Sequence, residues 1–167
     1  NLYNLEATPA EGATYRFALR DREAFGEDII QAGSAGEPYY TNSTQLPVNH
    51  TNDILAVLDH QNELQQLYTG GTVVHLYIAE EIQPQQAKKL MQYVMENYEI
   101  PYVTITPIFS VCPDHGYFPG RHFVCPACGK TTEVWTRVMG YHRPFHSFNA
   151  GKQSEFLERV PFSLKEA

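Results

Sequence analysis

Two short motifs constrain this chain more than any other feature of its sequence. Cys112 and His115 belong to a Cys-Pro-Asp-His motif, and Cys125 and Cys128 belong to a Cys-Pro-Ala-Cys motif. Two residues separate the paired side chains in each motif, which allows both members of a pair to turn toward one ion. Three thiolates and one imidazole complete a tetrahedron around zinc and leave no position open for a substrate. We therefore predict one structural zinc site.

The fourth ligand has two candidates. His115 occupies the expected motif position, whereas the spacing of His122 matches neither motif. Glycine follows each motif, at Gly116 and Gly129, where a tight turn needs positive φ. An imidazole ligand and a single site favour zinc over iron. The alternative is that the cysteines are unrelated buried thiols.

The composition bounds the class of protein. The chain has 167 residues, 43% of them hydrophobic and 19% charged, which suits one ordinary domain with a buried core. Its formal net charge is -7. Nucleic-acid binding normally needs clustered basic residues to neutralise phosphates, so we expect no nucleic-acid partner.

The cysteine content and the hydropathy indicate the cellular compartment of the chain. The three cysteines are an odd number and all lie between Cys112 and Cys128, which is a poor disulfide framework and suits a reducing cytoplasm. No apolar run approaches the roughly 18 residues that span a bilayer. The first residues have no initiator Met and resemble no signal peptide, so we expect a segment of a longer polypeptide.

The hydrophobic pattern predicts an α/β arrangement in the first two thirds of the chain. The order of strand, helix and strand predicts a parallel pair joined by a crossover helix. From residue 112 to 130 we expect no helix, and after Trp135 an ordered but irregular tail. The predicted helices cover residues 11–25, 51 or 52 to about 68, and a segment starting at Pro84, and the strands cover 72–78 and 102–105.

A series of motifs carries a family resemblance. They are Asn-Leu-Glu-Ala-Thr-Pro-Ala-Glu-Gly (4–12), Tyr-Thr-Asn-Ser-Thr-Gln-Leu-Pro-Val (40–48), Tyr-Thr-Gly-Gly-Thr (68–72), Arg-Val-Met-Gly-Tyr (137–141), Arg143-Pro144, Asn-Ala-Gly-Lys (149–152) and Glu155-Phe156. Together with the two cysteine motifs, this order resembles the C-terminal portion of the anaerobic, class III ribonucleotide reductases, which are glycyl radical enzymes. The resemblance covers essentially the whole chain.

The resemblance implies a fold and a radical site. It implies part of a ten-stranded α/β barrel in residues 1–110, a zinc-ribbon-like knuckle in 111–134, and a glycyl radical loop with a C-terminal tail in 135–167. Gly140 is then the radical residue. An α-carbon radical is delocalised between the amide nitrogen and the carbonyl and needs a planar centre, which a Cβ would crowd.

The family also implies partners and a reaction. A radical S-adenosylmethionine activase with an iron–sulfur cluster would remove hydrogen from Gly140. The complete enzyme, a homodimer, would reduce ribonucleoside triphosphates for DNA precursor synthesis, with formate or a thiol system as reductant. Its thiyl cysteine is not in this chain, because every cysteine here is assigned to zinc. We therefore expect no activity from the chain alone.

The sequence departs from the family pattern at two positions. Many members have a fourth cysteine where this chain has His115, and many have a cysteine immediately before the radical glycine, where it has Met139. Neither change removes a group that the radical needs. Both indicate a sub-lineage with different reductant or activation details.

Other polar residues have ordinary explanations that we prefer. His75 could line a cavity, but a core histidine is the favoured interpretation. Glu6 and Glu11 could act in acid–base chemistry, against the simpler role of solvated or capping carboxylates. Ser43 and Thr44 could bind a phosphate, against turn capping. The rival to the whole interpretation is a non-enzymatic zinc-ribbon module that binds a protein or nucleic acid.

Overall fold

The computed structural model describes residues 3–7, 11–30, 32–33, 37–78, 81–138 and 140–162, and within them a mixed α/β fold. The helices are α1 (Glu11–Phe25), α2 (Ile54–Gln65), α3 (Pro84–Asn97) and α4 (Ala150–Glu158). The strands are β1 (Val74–Ile78), β2 (Val103–Pro107), β3 (Phe109–Cys112), β4 (Gly116–Pro119), β5 (Glu133–Val138) and β6 (Tyr141–Pro144). Short 3-10 turns cover Glu27–Ile29 and Phe145–Ser147. No helix in these ranges is long and apolar enough to cross a membrane.

The predicted parallel pair is confirmed. β1 and β2 pair in parallel, with Val74 opposite Val103, and α3 is the crossover between them. One face of β1 is fully buried in an apolar core with α2 and α3. The buried core residues are Ile54, Val57, Leu58, Val74, Leu76, Ile78, Val94 and Phe162. Because side chains alternate along a strand, the opposite face presents polar and aromatic groups, among them His75 and Tyr77.

Local capping explains where two of the helices begin. The Asp53 side chain accepts a hydrogen bond of 2.8 Å from the amide of Leu55, which satisfies an amide that the first turn of α2 leaves free. Pro84 occupies the first turn of α3, where its missing N–H costs nothing. The sequence located both starts to within about three residues, within the usual uncertainty of helix ends.

The prediction of an irregular tail is wrong. A four-stranded antiparallel sheet in the order β4-β3-β5-β6 occupies the second half, and α4 follows it. The side chain of Asn149 accepts a 2.9 Å hydrogen bond from the amide of Lys152 and so caps α4. The strands have only four to six residues each. Such short strands carry too little alternation to be recognised from pattern alone.

A buried ionic network fixes α4 to the sheet. Lys152 is fully buried and its ammonium contacts the Glu155 carboxylate. Arg159 is 3% exposed and donates to the same carboxylate over 3.2 Å. The Arg159 guanidinium also lies 3.5 Å from the centre of the Tyr77 ring on β1. Helix α4 is thereby held against the polar face of β1.

We expect Glu155→Ala to lower the free energy of unfolding by about 3–5 kcal/mol, because it leaves two buried cations without their shared carboxylate. Urea unfolding followed by circular dichroism measures the change. Glu96→Ala, at an exposed position of α3, is the control and should change stability by less than about 0.5 kcal/mol. Equal effects of the two substitutions would contradict this role for the network.

Candidate metal site and glycine hairpin

Two tight turns carry the four predicted metal ligands. β3 ends at Cys112, and the chain turns through His115 into β4, which begins at Gly116 with φ of 71°. In the second turn the amide of Gly129, with φ of 72°, donates to the carbonyl of Cys125 over 2.9 Å. The predicted positive φ after each motif is therefore confirmed.

The structure brings the four ligands together. One ligand atom from each of Cys112, His115, Cys125 and Cys128 lies within 4.8 Å of the others. The Cys112 Sγ atom is 3.7 Å from both His115 Nδ1 and Cys128 Sγ. A tetrahedral zinc ion with ordinary bond lengths places neighbouring ligand atoms about 3.5–3.8 Å apart. The donor set and its spacing therefore fit zinc.

The two candidate histidines lie in different surroundings. His115 Nδ1 lies 3.8 Å from Cys125 Sγ, inside the cluster. The His122 ring instead packs 5.4 Å from the Phe118 ring and is not in the cluster. This geometry favours His115 as the fourth ligand.

The surroundings of the cluster shift the pKa values of two of its thiols in opposite directions. Desolvation opposes ionisation of Cys112, but hydrogen bonds from the His115 ring and the turn amides outweigh it and lower the pKa of Cys112 to about 6. At Cys128 the Lys130 amide favours the thiolate, yet desolvation and the adjacent Cys125 and Cys112 sulfurs raise the pKa overall. The neighbouring sulfurs therefore disfavour ionisation of Cys128, an effect that a bound cation would offset.

Gly140 lies in the turn of the β5–β6 hairpin. Val138 pairs with Tyr141, so the two strands meet directly on either side of the turn. Gly140 has φ of 99°, and a Cβ built there would meet nothing within 4 Å. Backbone conformation, rather than crowding, is thus the local reason for a glycine. The neighbouring Met139 lies outside the described residues.

The ligand cluster and the hairpin turn lie at opposite ends of one sheet. Val111, next to Cys112, pairs with Glu133 at the start of antiparallel β5. From there β5 runs away from the cluster toward Gly140, a distance of about 20 Å at about 3.3 Å per residue. A metal in the cluster would therefore act on Gly140 through the strands and not by contact.

Comparison with known proteins assigns the chain to a family. The sequence model of the anaerobic ribonucleoside-triphosphate reductases matches residues 1–162. The chain belongs to this family. The family predicted from the sequence motifs is thereby confirmed.

Individual members of the anaerobic reductase family agree with this assignment. The anaerobic ribonucleoside-triphosphate reductase of Enterobacteria phage T4 is 25% identical over 170 residues, covering 95% of this chain and 27% of that protein. A solved anaerobic ribonucleotide reductase superimposes with a TM-score of 0.72 at 26% identity, covering 96% of this chain and 25% of that one. The Thermotoga maritima enzyme in complex with dATP and CTP gives a TM-score of 0.64 at 25% identity, covering 92% of this chain and 24% of that chain. The chain therefore spans about a quarter of the length of these relatives.

Two of the other polar candidates take part in ordinary structural contacts. The Glu6 carboxylate accepts a hydrogen bond from the Asn4 side chain. The Thr44 hydroxyl accepts from Tyr68 over 3.1 Å, while Ser43 has φ of 49° in a turn. The side chain of Glu11 lies outside the described residues. For Glu6 and Thr44, these contacts favour the structural interpretation.

His75 lies in a more constrained environment than the sequence indicated. Its Nδ1 is 2.6 Å from the Thr104 hydroxyl on β2, and its buried Nε2 has no hydrogen-bond partner among the described residues. Desolvation, reinforced by the positive charges of Arg137 and Arg159, lowers the pKa of His75 to about 4. Its ring is therefore neutral at physiological pH and faces a cationic interior.

We expect His75 to make the protein less stable in acid. The unfolded chain binds a proton at His75 below about pH 6.5, whereas the folded chain does so only below about pH 4, so stability falls as pH drops through this window. Protonation of His75 lowers the free energy of unfolding by about 3 kcal/mol across this window. Urea unfolding between pH 7 and pH 4 should show a shallower decline for His75→Gln than for the unchanged chain. Parallel curves would contradict the assignment.

A small cavity lies beside these groups, and His75 lines it, which is the alternative that the sequence analysis did not favour. It has a volume of about 70 Å³ and lies between the segment that contains the Tyr-Thr-Asn-Ser-Thr-Gln motif, the polar face of β1 and α4. Its lining includes Thr41, Asn42, Gln45, His75, Tyr77 and Arg159. The alternation of His75 and Tyr77 with buried aliphatic residues along β1 was the available signal. This alternation indicates that the second face of β1 is also covered.

Proposed function

We propose that this chain is the C-terminal portion of an anaerobic ribonucleoside-triphosphate reductase that carries the glycyl radical on Gly140. Family membership across residues 1–162, with Gly140 in an open hairpin turn, is the observation that carries this proposal. The positive φ alone would account for a glycine at this position. It is the Arg-Val-Met-Gly-Tyr motif within a family match that gives the residue its radical role.

The zinc site is proposed as a structural element of this portion. Cys112, His115, Cys125 and Cys128 would hold the ion, which supplies a closed tetrahedral cross-link between two turns. With all four positions filled by protein, no substrate can coordinate. The four side chains then fix the end of β3, and β3 aligns β5 by pairing with it. The site would therefore support the hairpin from the far end of the sheet.

The division of the chain follows the same proposal. Residues 1–110 would form part of a ten-stranded catalytic barrel, 111–134 the zinc knuckle, and 135–167 the radical loop and tail. The β1–β2 pair, with helices against one face and polar groups on the other, has the layering expected of barrel strands. The remaining strands and the thiyl cysteine would come from other parts of the complete polypeptide.

The partners are proposed from the family and the chemistry. A radical S-adenosylmethionine activase with an iron–sulfur cluster would abstract hydrogen from Gly140. The complete enzyme would be a cytoplasmic homodimer that reduces ribonucleoside triphosphates, with formate or a thiol system as the electron source. Family membership over nearly the whole chain favours this function over an independent zinc-ribbon module.

Anaerobic reconstitution tests this function. The complete polypeptide is incubated with the activase, S-adenosylmethionine and a reductant, and then assayed by electron paramagnetic resonance and for deoxyribonucleotide formation. We expect a doublet from a glycine α-carbon radical together with reduction of a ribonucleoside triphosphate. A folded, zinc-loaded protein that gives neither, with an activase shown to activate another family member, would overturn the proposal.

A further inference from the structure

One arginine links the strand β5 to the turn that contains Gly140. The Nη1 atom of Arg137 donates a hydrogen bond of 2.7 Å to the carbonyl oxygen of Gly140, three residues ahead. Arg137 is half-buried, and its Nε atom is buried without a hydrogen-bond partner among the described residues. An unsatisfied buried donor is unfavourable. The hydrogen bonds of the guanidinium therefore do not by themselves account for its buried position.

A second arginine, Arg159, contacts β5 through a side-chain hydrogen bond. Arg159, the buried residue that follows α4, donates to the Thr136 hydroxyl over 3.1 Å and approaches the Arg137 carbonyl at 3.5 Å. Thr136 is fully buried. Arg159 is itself fixed by Glu155, at 3.2 Å, and by the Tyr77 ring. The backbone that carries Arg137 is thus connected through Arg159 to Glu155 of α4 and to Tyr77 of β1.

The surroundings of the guanidinium also oppose a purely structural role. Arg137 and Arg159 both lower the pKa of His75, so two like charges lie near one neutral, desolvated ring. Like charges in a region of low dielectric repel, and Glu155 offsets only part of this. Burying an apolar side chain at position 137 would cost less free energy than burying a guanidinium. Among the described contacts, the guanidinium donates to the Gly140 carbonyl, and its positive charge strengthens that hydrogen bond.

We propose that Arg137 is a positioning residue for the glycyl radical, acting through its hydrogen bond to the Gly140 carbonyl. This inference rests on the proposed radical function of Gly140. The carbonyl shares the unpaired spin of an α-carbon radical, so a charge-assisted donor at its oxygen alters the spin distribution as well as holding the turn. A single bond of this kind favours the closed hairpin about tenfold or more. It is also weak enough to be released when an activase must reach the α-carbon.

The test uses the complete polypeptide with three substitutions at arginine, and with Gly140→Ala as the reference for the radical site. Arg137→Gln removes the charge but keeps polarity and length, and Arg137→Lys keeps a cationic donor. Arg20→Gln is the control, since Arg20 is an exposed arginine of α1 that pairs only with Glu23 in the described contacts. After anaerobic activation, high-field electron paramagnetic resonance measures the g-anisotropy of the radical. Electron–nuclear double resonance in H₂O and D₂O detects an exchangeable proton that is hydrogen-bonded to the Gly140 carbonyl.

For Arg137→Gln we expect loss of the exchangeable proton coupling, a shift in g-anisotropy and a radical yield lower by about tenfold. Arg137→Lys should restore part of the coupling and yield, and Arg20→Gln should match the unchanged enzyme. The radical that remains should support reduction with lower kcat and unchanged KM, because Arg137 contacts the loop and not the substrate.

The outcomes separate this inference from the function on which it rests. If Gly140→Ala abolishes the radical but Arg137→Gln leaves the coupling and g-anisotropy unchanged, the role of Arg137 is wrong and the radical site stands. If Gly140→Ala retains the radical, the proposed function itself fails. Should Arg137→Gln not fold, an unchanged spectrum for Arg137→Lys would still contradict the inference, since one ammonium cannot reproduce the guanidinium geometry.

Discussion

Gly140→Ala is expected to remove the glycyl radical signal and ribonucleotide reduction from the complete enzyme while leaving a folded, zinc-loaded protein. A methyl group on the α-carbon disfavours both the planar radical and the backbone conformation with φ of 99°. The added Cβ meets no atom within 4 Å, so the substitution costs only backbone strain of about 1–2 kcal/mol. Spin quantitation per chain, an assay of deoxyribonucleotide formation, circular dichroism and zinc content measure the four parts of this expectation.

Gly26 offers a matched control for that substitution. It follows α1 with φ of 101°, and a Cβ there also meets nothing within 4 Å. Gly26→Ala therefore introduces the same kind of backbone strain without touching the hairpin. It should keep the radical and the activity. Loss of the radical in both variants would mean that Gly140 acts through the fold, and retention in both would exclude it as the radical site.

Removal of the metal has the second large expected effect. A structural zinc ion contributes about 10 kcal/mol or more to the stability of a small domain. We expect His115→Ala, or chelation of the ion, to release about one zinc per chain and to unfold the two ligand turns. Elemental analysis gives the stoichiometry, and hydrogen exchange of the β3 and β4 amides locates the unfolding.

His122→Ala is the matched control for His115→Ala. Both histidines are exposed, yet only His115 lies in the ligand cluster. The control should retain zinc and protected amides in β3 and β4. Zinc loss from the His122 variant with retention in the His115 variant would reverse the ligand assignment.

Zinc loss should also reduce the radical yield. The cluster lies at the far end of the sheet from Gly140, but β3 aligns β5 through the pairs Phe109–Trp135 to Val111–Glu133. Fraying of β3 would therefore loosen the strand that carries Arg137. Zinc-ligand variants of the complete enzyme that acquire a normal glycyl radical signal would show that the metal has no part in positioning the hairpin.

The features that could be predicted from the sequence are encoded locally. The ligand turns depend on residues three apart and on the glycines that follow them. The start of α2 depends on one side chain, Asp53, and a parallel pair follows from a helix placed between two strands. Each of these requires only neighbours in sequence, so a pattern can identify it.

The features that were missed depend on distant contacts. Helix α4 and the four-stranded sheet are stabilised across the fold, for example where Arg159 meets Tyr77 on β1. On α1 the structure exposes 62% of the large apolar Phe17 and buries the smaller Ala18, which hydrophobicity alone does not predict. Which face of a helix is covered depends on the partner that packs against it. That partner is not encoded in the helix.

The most direct test of the radical site localises the radical to a residue. An α-carbon radical reacts with molecular oxygen, and the resulting peroxyl group decays by cleavage of the backbone at that carbon. The activated complete enzyme is exposed to air, and its fragments are identified by intact-mass and peptide mass spectrometry. We predict cleavage at Gly140, dependent on the activase and absent from the Gly140→Ala variant. Activase-dependent cleavage at another residue, or an activated enzyme that stays intact in air, would contradict the account.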